Sequence, residues 1–204
     1  MEYKELNPTA ERIIIAAKQL FMQRGYTAVS ISDIIKAADI TKPTLYYYFP
    51  DKAELFAQMG IYLLEEMHHD MDAQIDHKAT TEQQLTALAS VLLAHRDGNL
   101  SLMLHEMGEH LATAHQIRLS QAFETNMIAP IFGVMQRAVE RGDVQGVVPE
   151  LSYMFLSVIS GFYDLVKQPE LRPDWAGDTT MRLSITPEKV TKLFLYGVAR
   201  TADM

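Results

Sequence analysis

The sequence predicts an all-α protein, with an N-terminal three-helix helix-turn-helix domain followed by a larger helical domain. Three observations lead there. Apolar residues recur at helical spacing from residue 13 almost to the end of the chain. Capping residues and helix breakers cut that pattern into short helices near the start and long ones later. The stretch Thr41-Lys42-Pro43-Thr44-Leu45-Tyr46-Tyr47-Tyr48-Phe49-Pro50-Asp51-Lys52 then reads as a very short helix, a break at Pro50 and a new helix start. Three tyrosines beside a lysine make a poor core. They suit a helix pushed into a DNA groove that offers phosphates and base edges.

The elements follow in order. Asn7-Pro8-Thr9 supplies a cap and a helix-compatible proline, and Glu11 favours the first turn. Ile13, Ile14, Ala17, Leu20 and Phe21 form one stripe, and Gly25 is placed to end this helix with a left-handed backbone. Ser30 or Ser32 caps a second helix carrying Ile31, Ile34, Ile35 and Ala38. Asp39 occupies the tight turn, where Asp tolerates positive φ. Thr41 caps the third helix, with Pro43 in its first turn and with Leu45 and Phe49 expected to point inward. Asp51 and Glu54 form a capping-box pattern that opens the fourth.

Residues 9–56 resemble the N-terminal domain of TetR-type transcriptional regulators. The resemblance rests on the long first helix ending at Gly25, then Tyr26-Thr27, Ser32, Ile40, and Thr44-Leu45-Tyr46-Tyr47 with Phe49, Lys52 and Leu55. Asp39 stands where the family often has Gly, Pro43 where it has a small residue, and Tyr48 where it has His. The resemblance implies a DNA-binding domain over 1–51 and an effector-binding and dimerisation domain over 52–204. It implies DNA contacts from Thr27, Ser32, Thr41, Lys42, Pro43, Thr44, Tyr46, Tyr47 and Lys52. It also implies a palindromic operator, a homodimer and a small-molecule effector.

Charge and composition set bounds on these readings. The net charge of −8 is unusual for a DNA-binding chain, but it is unevenly distributed. Residues 1–60 hold seven basic residues (Lys4, Arg12, Lys18, Arg24, Lys36, Lys42, Lys52) and seven acidic ones (Glu2, Glu5, Glu11, Asp33, Asp39, Asp51, Glu54). The remaining 11 basic and 19 acidic residues carry all the excess. A neutral head grips phosphates weakly as a single copy, and two heads on a dimer add avidity. There is no cysteine, hence no disulfide framework or thiolate metal site. No apolar run reaches the ~18 residues of a membrane span, and the charged N-terminus lacks a signal-peptide pattern. A cytoplasmic protein without membrane contact is expected.

The rest reads as helices near 52–76, 81–97, 100–115, 117–141, 149–167 and 186–202, with an irregular, proline-bearing segment at 168–185. The helices 149–167 and 186–202 carry apolar residues on more than one face. Ser157, Ser160, Gly161 and Gly197 keep part of them small, so both are expected in a four-helix dimer interface. An adaptable apolar pocket is expected from Met59, Tyr62, Met67, Met103, Met107, Phe123 and Met127, with His95, Glu106 and His110 as its polar groups.

All seven histidines lie between 68 and 115. His105 and His110 stand five apart with Glu109 between them, which fails the zinc-protease spacing of four on one helical face. His105 with Glu109, or Glu106 with His110, joined by His68, His69 or Asp72, leaves a metal-responsive regulator as an alternative. The favoured reading has these histidines exposed or hydrogen-bonded on amphipathic helices, with no metal and no cofactor. No phosphate-binding glycine loop, nucleophile elbow or Cys/His pair is present, so no enzymatic reaction is expected. A ligand-responsive repressor is the favoured function. A DNA-binding assembly factor without an inducer is the other alternative.

Overall fold

The computed structural model describes residues 7–95, 106–167 and 186–197, with 162–167 described at the backbone only. The helices are α1 (Pro8–Ala28), α2 (Ile31–Ala37), α3 (Lys42–Tyr48), α4 (Lys52–Gln74), α5 (Thr81–Ala94), α6 (helical from 106 to 110) and α7 (Thr113–Phe123). A π-helical turn (Glu124–Ile128) leads into α8 (Ala129–Glu140), followed by α9 (Val148–Lys167) and α10 (Pro187–Tyr196). The described residues contain no strand. None of their helices is long and apolar enough to cross a membrane.

By contact, the described residues of 1–66 and 98–126 form one compact unit, and those of 67–97 and 127–204 form another. The start of α4, with α6 and α7, belongs to the same unit as the three N-terminal helices.

In the first unit the caps are those the sequence predicts. Asn7 Oδ1 accepts from the Thr9 N–H at 2.9 Å. Ser30, rather than Ser32, caps α2 in a full capping box with Asp33. Asp39 turns the chain between α2 and α3 at φ 49. α1 kinks at Gly25, whose φ of 77 and ψ of 166 lie in a region open essentially to glycine alone. The core joins Ile13, Ile14 and Ala17 of α1 to Ile34, Leu45 and Phe49, all buried. Phe56 of α4 meets Phe21 edge-on at 4.9 Å and Tyr26 at 4.7 Å. A Cβ at Gly60 would stand 2.5 Å from Met107 Cε and 2.9 Å from Leu119 Cδ2. The glycine leaves room for the ends of the Met107 and Leu119 side chains against α4.

Two expected boundaries move. The predicted helix over 100–115 breaks at Leu111–Ala112, and α7 starts at Thr113. Neither residue is a breaker. Leu111 is buried, and Gln116 Nε2 donates to the carbonyls of Gly108 and Leu111 at 2.9 Å each, taking the acceptors that the break exposes. The helix expected over 186–202 closes at Tyr196, because Gly197 takes φ 68 and caps it instead of lying within it. Val198 lies outside the described residues.

The second unit packs α5 against α8, α9 and α10. Its interior includes Met71, Leu85, Leu88, Ile131, Met135, Phe155 and Ile159. The turn between α4 and α5 is pinned by hydrogen bonds. Thr81 Oγ1 donates to Asp143 at 2.6 Å, and Arg141 donates to the carbonyls of Ala79 and His77 at 3.2 Å each. Phe155 has no exposed surface and meets Phe194 edge-on at 5.1 Å, tying α9 to α10. Phe155→Ala is therefore expected to cost about 3–5 kcal/mol, the range for deleting a buried phenyl ring. Urea titration followed by circular dichroism measures it, and a loss below about 1 kcal/mol would contradict this packing.

Candidate nucleic-acid interface

α3 is built as a two-faced element. Thr41 caps it, with its Oγ1 accepting the Thr44 N–H at 3.3 Å and lying 2.7 Å from Thr44 Oγ1. Pro43 fits the first turn, where no N–H is needed. Leu45 and Phe49 are buried, as predicted, and this burial turns Thr41, Lys42, Pro43, Tyr46 and Tyr47 outward. Tyr47 is 82% exposed, far more than a tyrosine placed for packing alone. Thr44 is half-buried. Lys42 Nζ stands 5.9 Å from the Tyr46 ring centroid.

Tyr48 has a role that sequence reasoning missed. Its hydroxyl donates to Asn7 Oδ1 at 3.0 Å, and its ring lies edge-on to Tyr47 at 4.9 Å. The end of α3 is thereby fixed to the start of α1.

The other expected contact residues are less uniform. Ser32 is exposed on α2 and Thr27 on the last turn of α1, beyond the Gly25 kink. Lys52 is half-buried, its ammonium 4.1 Å over the Tyr26 ring. Burial pulls the Lys52 pKa below the usual lysine value, and the charge of Glu106 partly restores it.

Several residues expected in a ligand pocket are placed differently. Glu106 and His110 face the turn at 25–27: Glu106 Oε2 accepts the Tyr26 N–H at 2.8 Å, and His110 stacks on Tyr26 at 5.2 Å. Met107 packs on Gly60, and Tyr62 donates from its hydroxyl to Glu11 Oε1 at 3.2 Å. Met59, Met67 and Met127 are buried, and Phe123 is half-buried. His95 pairs with Asp70 at 2.5 Å. Met103 lies outside the described residues, as does His105. No group of three or more potential metal ligands gathers among the described residues. There, the clustered histidines include separate pairs: His68 with Asp72, His95 with Asp70 and His115 with Glu54.

The start of α4 is anchored by a charged knot. Asp51 Oδ1 accepts the Glu54 N–H at 2.7 Å, which is one half of the expected capping box. The Glu54 carboxylate does not return to the cap. It accepts from Arg118 Nη1 at 2.8 and 3.0 Å and from Gln58 Nε2 at 3.0 Å, and lies 3.0 Å from His115 Nε2. Burial pushes the Glu54 carboxyl up, but the Arg118 and Gln58 hydrogen bonds and the Arg118 and His115 charges outweigh it and hold the pKa below its usual value. A depressed pKa stabilises the fold above the ordinary glutamate value of about 4.3 and loses that contribution as pH falls through the lower folded value. Glu54→Gln is expected to lower the midpoint of thermal unfolding at pH 7, by the equivalent of ~1 kcal/mol for this partly exposed pair. The gap from wild type should close below about pH 4. A gap unchanged at pH 3 would refute this role for the carboxylate.

Residues 13–59 match the model of the tetR family of bacterial regulatory proteins. YhgD of Bacillus subtilis strain 168, an uncharacterized HTH-type transcriptional regulator, is 25% identical over 159 residues, covering 76% of this chain and 83% of its own. The probable acrEF/envCD operon repressor of Escherichia coli strain K12 is 22% identical over 204 residues, covering 91% of this chain and 90% of its own. Among solved structures, the transcriptional regulator FadR of Bacillus subtilis, in complex with stearoyl-CoA, shares the fold with a TM-score of 0.71 at 18% identity, over 93% of this chain and 99% of its own.

Proposed function

The chain is a TetR-family regulator, and we propose that it is a cytoplasmic repressor that binds a palindromic operator as a homodimer and is released by a small molecule. The observation that carries this reading is the division of α3. Its apolar side is buried by Leu45 and Phe49, and its outward side leaves Lys42, Tyr46 and Tyr47 exposed among the described residues. In the major groove, Lys42 reaches a guanine or a phosphate, Thr44 a base edge, and the tyrosine hydroxyls phosphate oxygens. Footprinting on genomic DNA tests the reading: a few discrete palindromes support it, and many dispersed sites refute it in favour of an assembly factor.

Lys42→Ala and Tyr47→Phe should each weaken operator binding roughly five- to tenfold, the size of one lost polar contact, with the melting temperature unchanged. Full binding by the double variant removes α3 from the reading head. Lys52→Ala should weaken binding to all sequences and reduce the salt slope by about one unit, because a phosphate contact carries no sequence information. A loss confined to one operator variant contradicts that role.

Dimerisation is assigned to α9 and α10. Met154 is 58% exposed, and Ser157 and Gly161 continue its face of α9 at helical spacing, also exposed. Met154→Asp should yield a monomer in sedimentation equilibrium and lose the avidity of two heads. A stable dimer would move the interface elsewhere. The apolar character of the effector is supported by the stearoyl-CoA complex of the Bacillus subtilis neighbour and by the methionine-rich helices of this chain. α4 starts at the head and runs through both units, so it is the element through which an effector would change the spacing of two heads. Half-sites lie about 34–36 Å apart, and small shifts in that spacing weaken binding without unfolding anything.

A further inference from the structure

We propose that His110, stacked on Tyr26, is a positioning residue for operator binding that acts through the hydroxyl of Thr27. The proposal rests on the regulator reading above, in which Thr27 meets a DNA phosphate.

The geometry begins at Gly25. A Cβ at this position would stand 2.7 Å from Glu106 Oε1, so the absent side chain leaves the space that the carboxylate occupies. There Glu106 Oε2 accepts the Tyr26 N–H, the main-chain donor that follows the α1 kink at Gly25. One turn further along α6, His110 lies nearly parallel to the Tyr26 ring, with centroids 5.2 Å apart and planes inclined by 22°. Its Nε2 is 3.2 Å from Thr27 Oγ1. The two α6 side chains thus hold consecutive residues of one turn, one through the main chain and one through a hydroxyl. They are separated from it by about 80 residues of sequence.

A threonine hydroxyl has one proton and two acceptor sites. When His110 Nε2 carries its proton, it donates to Thr27 Oγ1 and uses one acceptor site. The Thr27 O–H then points away from the ring and is free to donate to a phosphate oxygen. The relay is His110 N–H to Thr27 O–H to phosphate, each group donating to the next, and hydrogen bonds in such a chain strengthen one another. Without His110 the hydroxyl rotates among its staggered positions and must be ordered at the moment of binding. The Thr27 side chain is exposed, so the phosphate has access to it.

The test is a double-mutant cycle on a duplex spanning the footprinted site. His110→Phe keeps the ring stacked on Tyr26 and removes Nε2. Thr27→Val keeps the shape and removes the hydroxyl. Each single variant should bind about fivefold more weakly, the size of one hydrogen bond, and the double variant no more weakly than either. His110→Gln, which retains a donor at similar reach, should recover part of the affinity. None of these changes removes a charge from the phosphate contact, so the salt slope should stay at the wild-type value, unlike that of Lys52→Ala. The inference is overturned if His110→Phe binds like wild type. It is equally overturned if the two losses multiply in the double variant, or if affinity tracks melting temperature across all variants, since each of these is the signature of a merely structural histidine. If the wild type protects no discrete site, the regulator reading itself fails and this inference falls with it.

Discussion

A seven-residue helix has no stability of its own in water, and α3 is seven residues long. The outward face of α3 therefore depends on burying Leu45 and Phe49. Those two side chains decide that α3 exists, and at helical spacing they also decide which of its residues face outward. The receptor for them is the interior made by Ile13, Ile14 and Ala17 of α1 with Ile34 of α2. The Phe21, Tyr26 and Phe56 rings extend that interior to α4. Recognition chemistry and core packing are two sides of one helix turn, so the tyrosine run is both unsuited to a core and structurally fixed.

How much of this was legible in the sequence follows from the range of each interaction. The caps at Asn7, Ser30, Thr41 and Thr186 are local, each completed within two or three residues, and the residue type alone announces them. The positive φ at Gly25 and Asp39 is local in the same sense. The two-faced character of α3 could be read because Leu45 and Phe49 share one face by spacing alone. The destination of Glu106 and His110 could not. Residues on an amphipathic helix show which way they turn together, but not what lies opposite, and a methionine- and histidine-rich helix reads equally well as a pocket wall or as a strut. The break at Leu111–Ala112 was hidden for a related reason. Its exposed carbonyls are taken by the Gln116 side chain, so no glycine or proline was needed to mark it. At Gly197 a signal was present but ambiguous, since glycine serves both close helix contact and helix termination, and here it terminates.

The distribution of charge is resolved by the same contacts. The N-terminal sixty residues balance seven basic groups against seven acidic ones, but the groups are not equivalent. Asp33 is engaged by the Ser30 cap, Glu54 by Arg118 and Glu11 by Tyr62. These three acidic groups are drawn into caps and helix contacts, whereas Lys42 stands exposed on the outward face of α3. A formally neutral head thereby keeps the Lys42 cation on the outward face of α3. The histidines show the complementary point, that proximity in sequence is not convergence in space. His68, His95 and His115 each meet a different carboxylate, which suits ion pairing and hydrogen bonding better than shared coordination of a metal.

The three N-terminal helices share one unit with the start of α4, α6 and α7. Residues 106–123 touch the N-terminal helices and the start of α4 at three separate points. Glu106 and His110 hold the turn at 25–27, and His115 and Arg118 hold Glu54 at the start of α4. Between them Met107 and Leu119 fill the space at Gly60. Three attachments along one stretch of chain make that stretch and the head move as a body, because displacing it requires breaking the Glu54 knot, opening the Gly60 contact and leaving the Tyr26 N–H without its acceptor. Any signal that displaces α6 and α7 must therefore either carry the head along or uncouple from it at a cost of several polar contacts. Of these outcomes, carrying the head along is the less costly. It leaves the geometry of α3 intact while changing where α3 points, the quantity to which the dimeric reader proposed above would be sensitive.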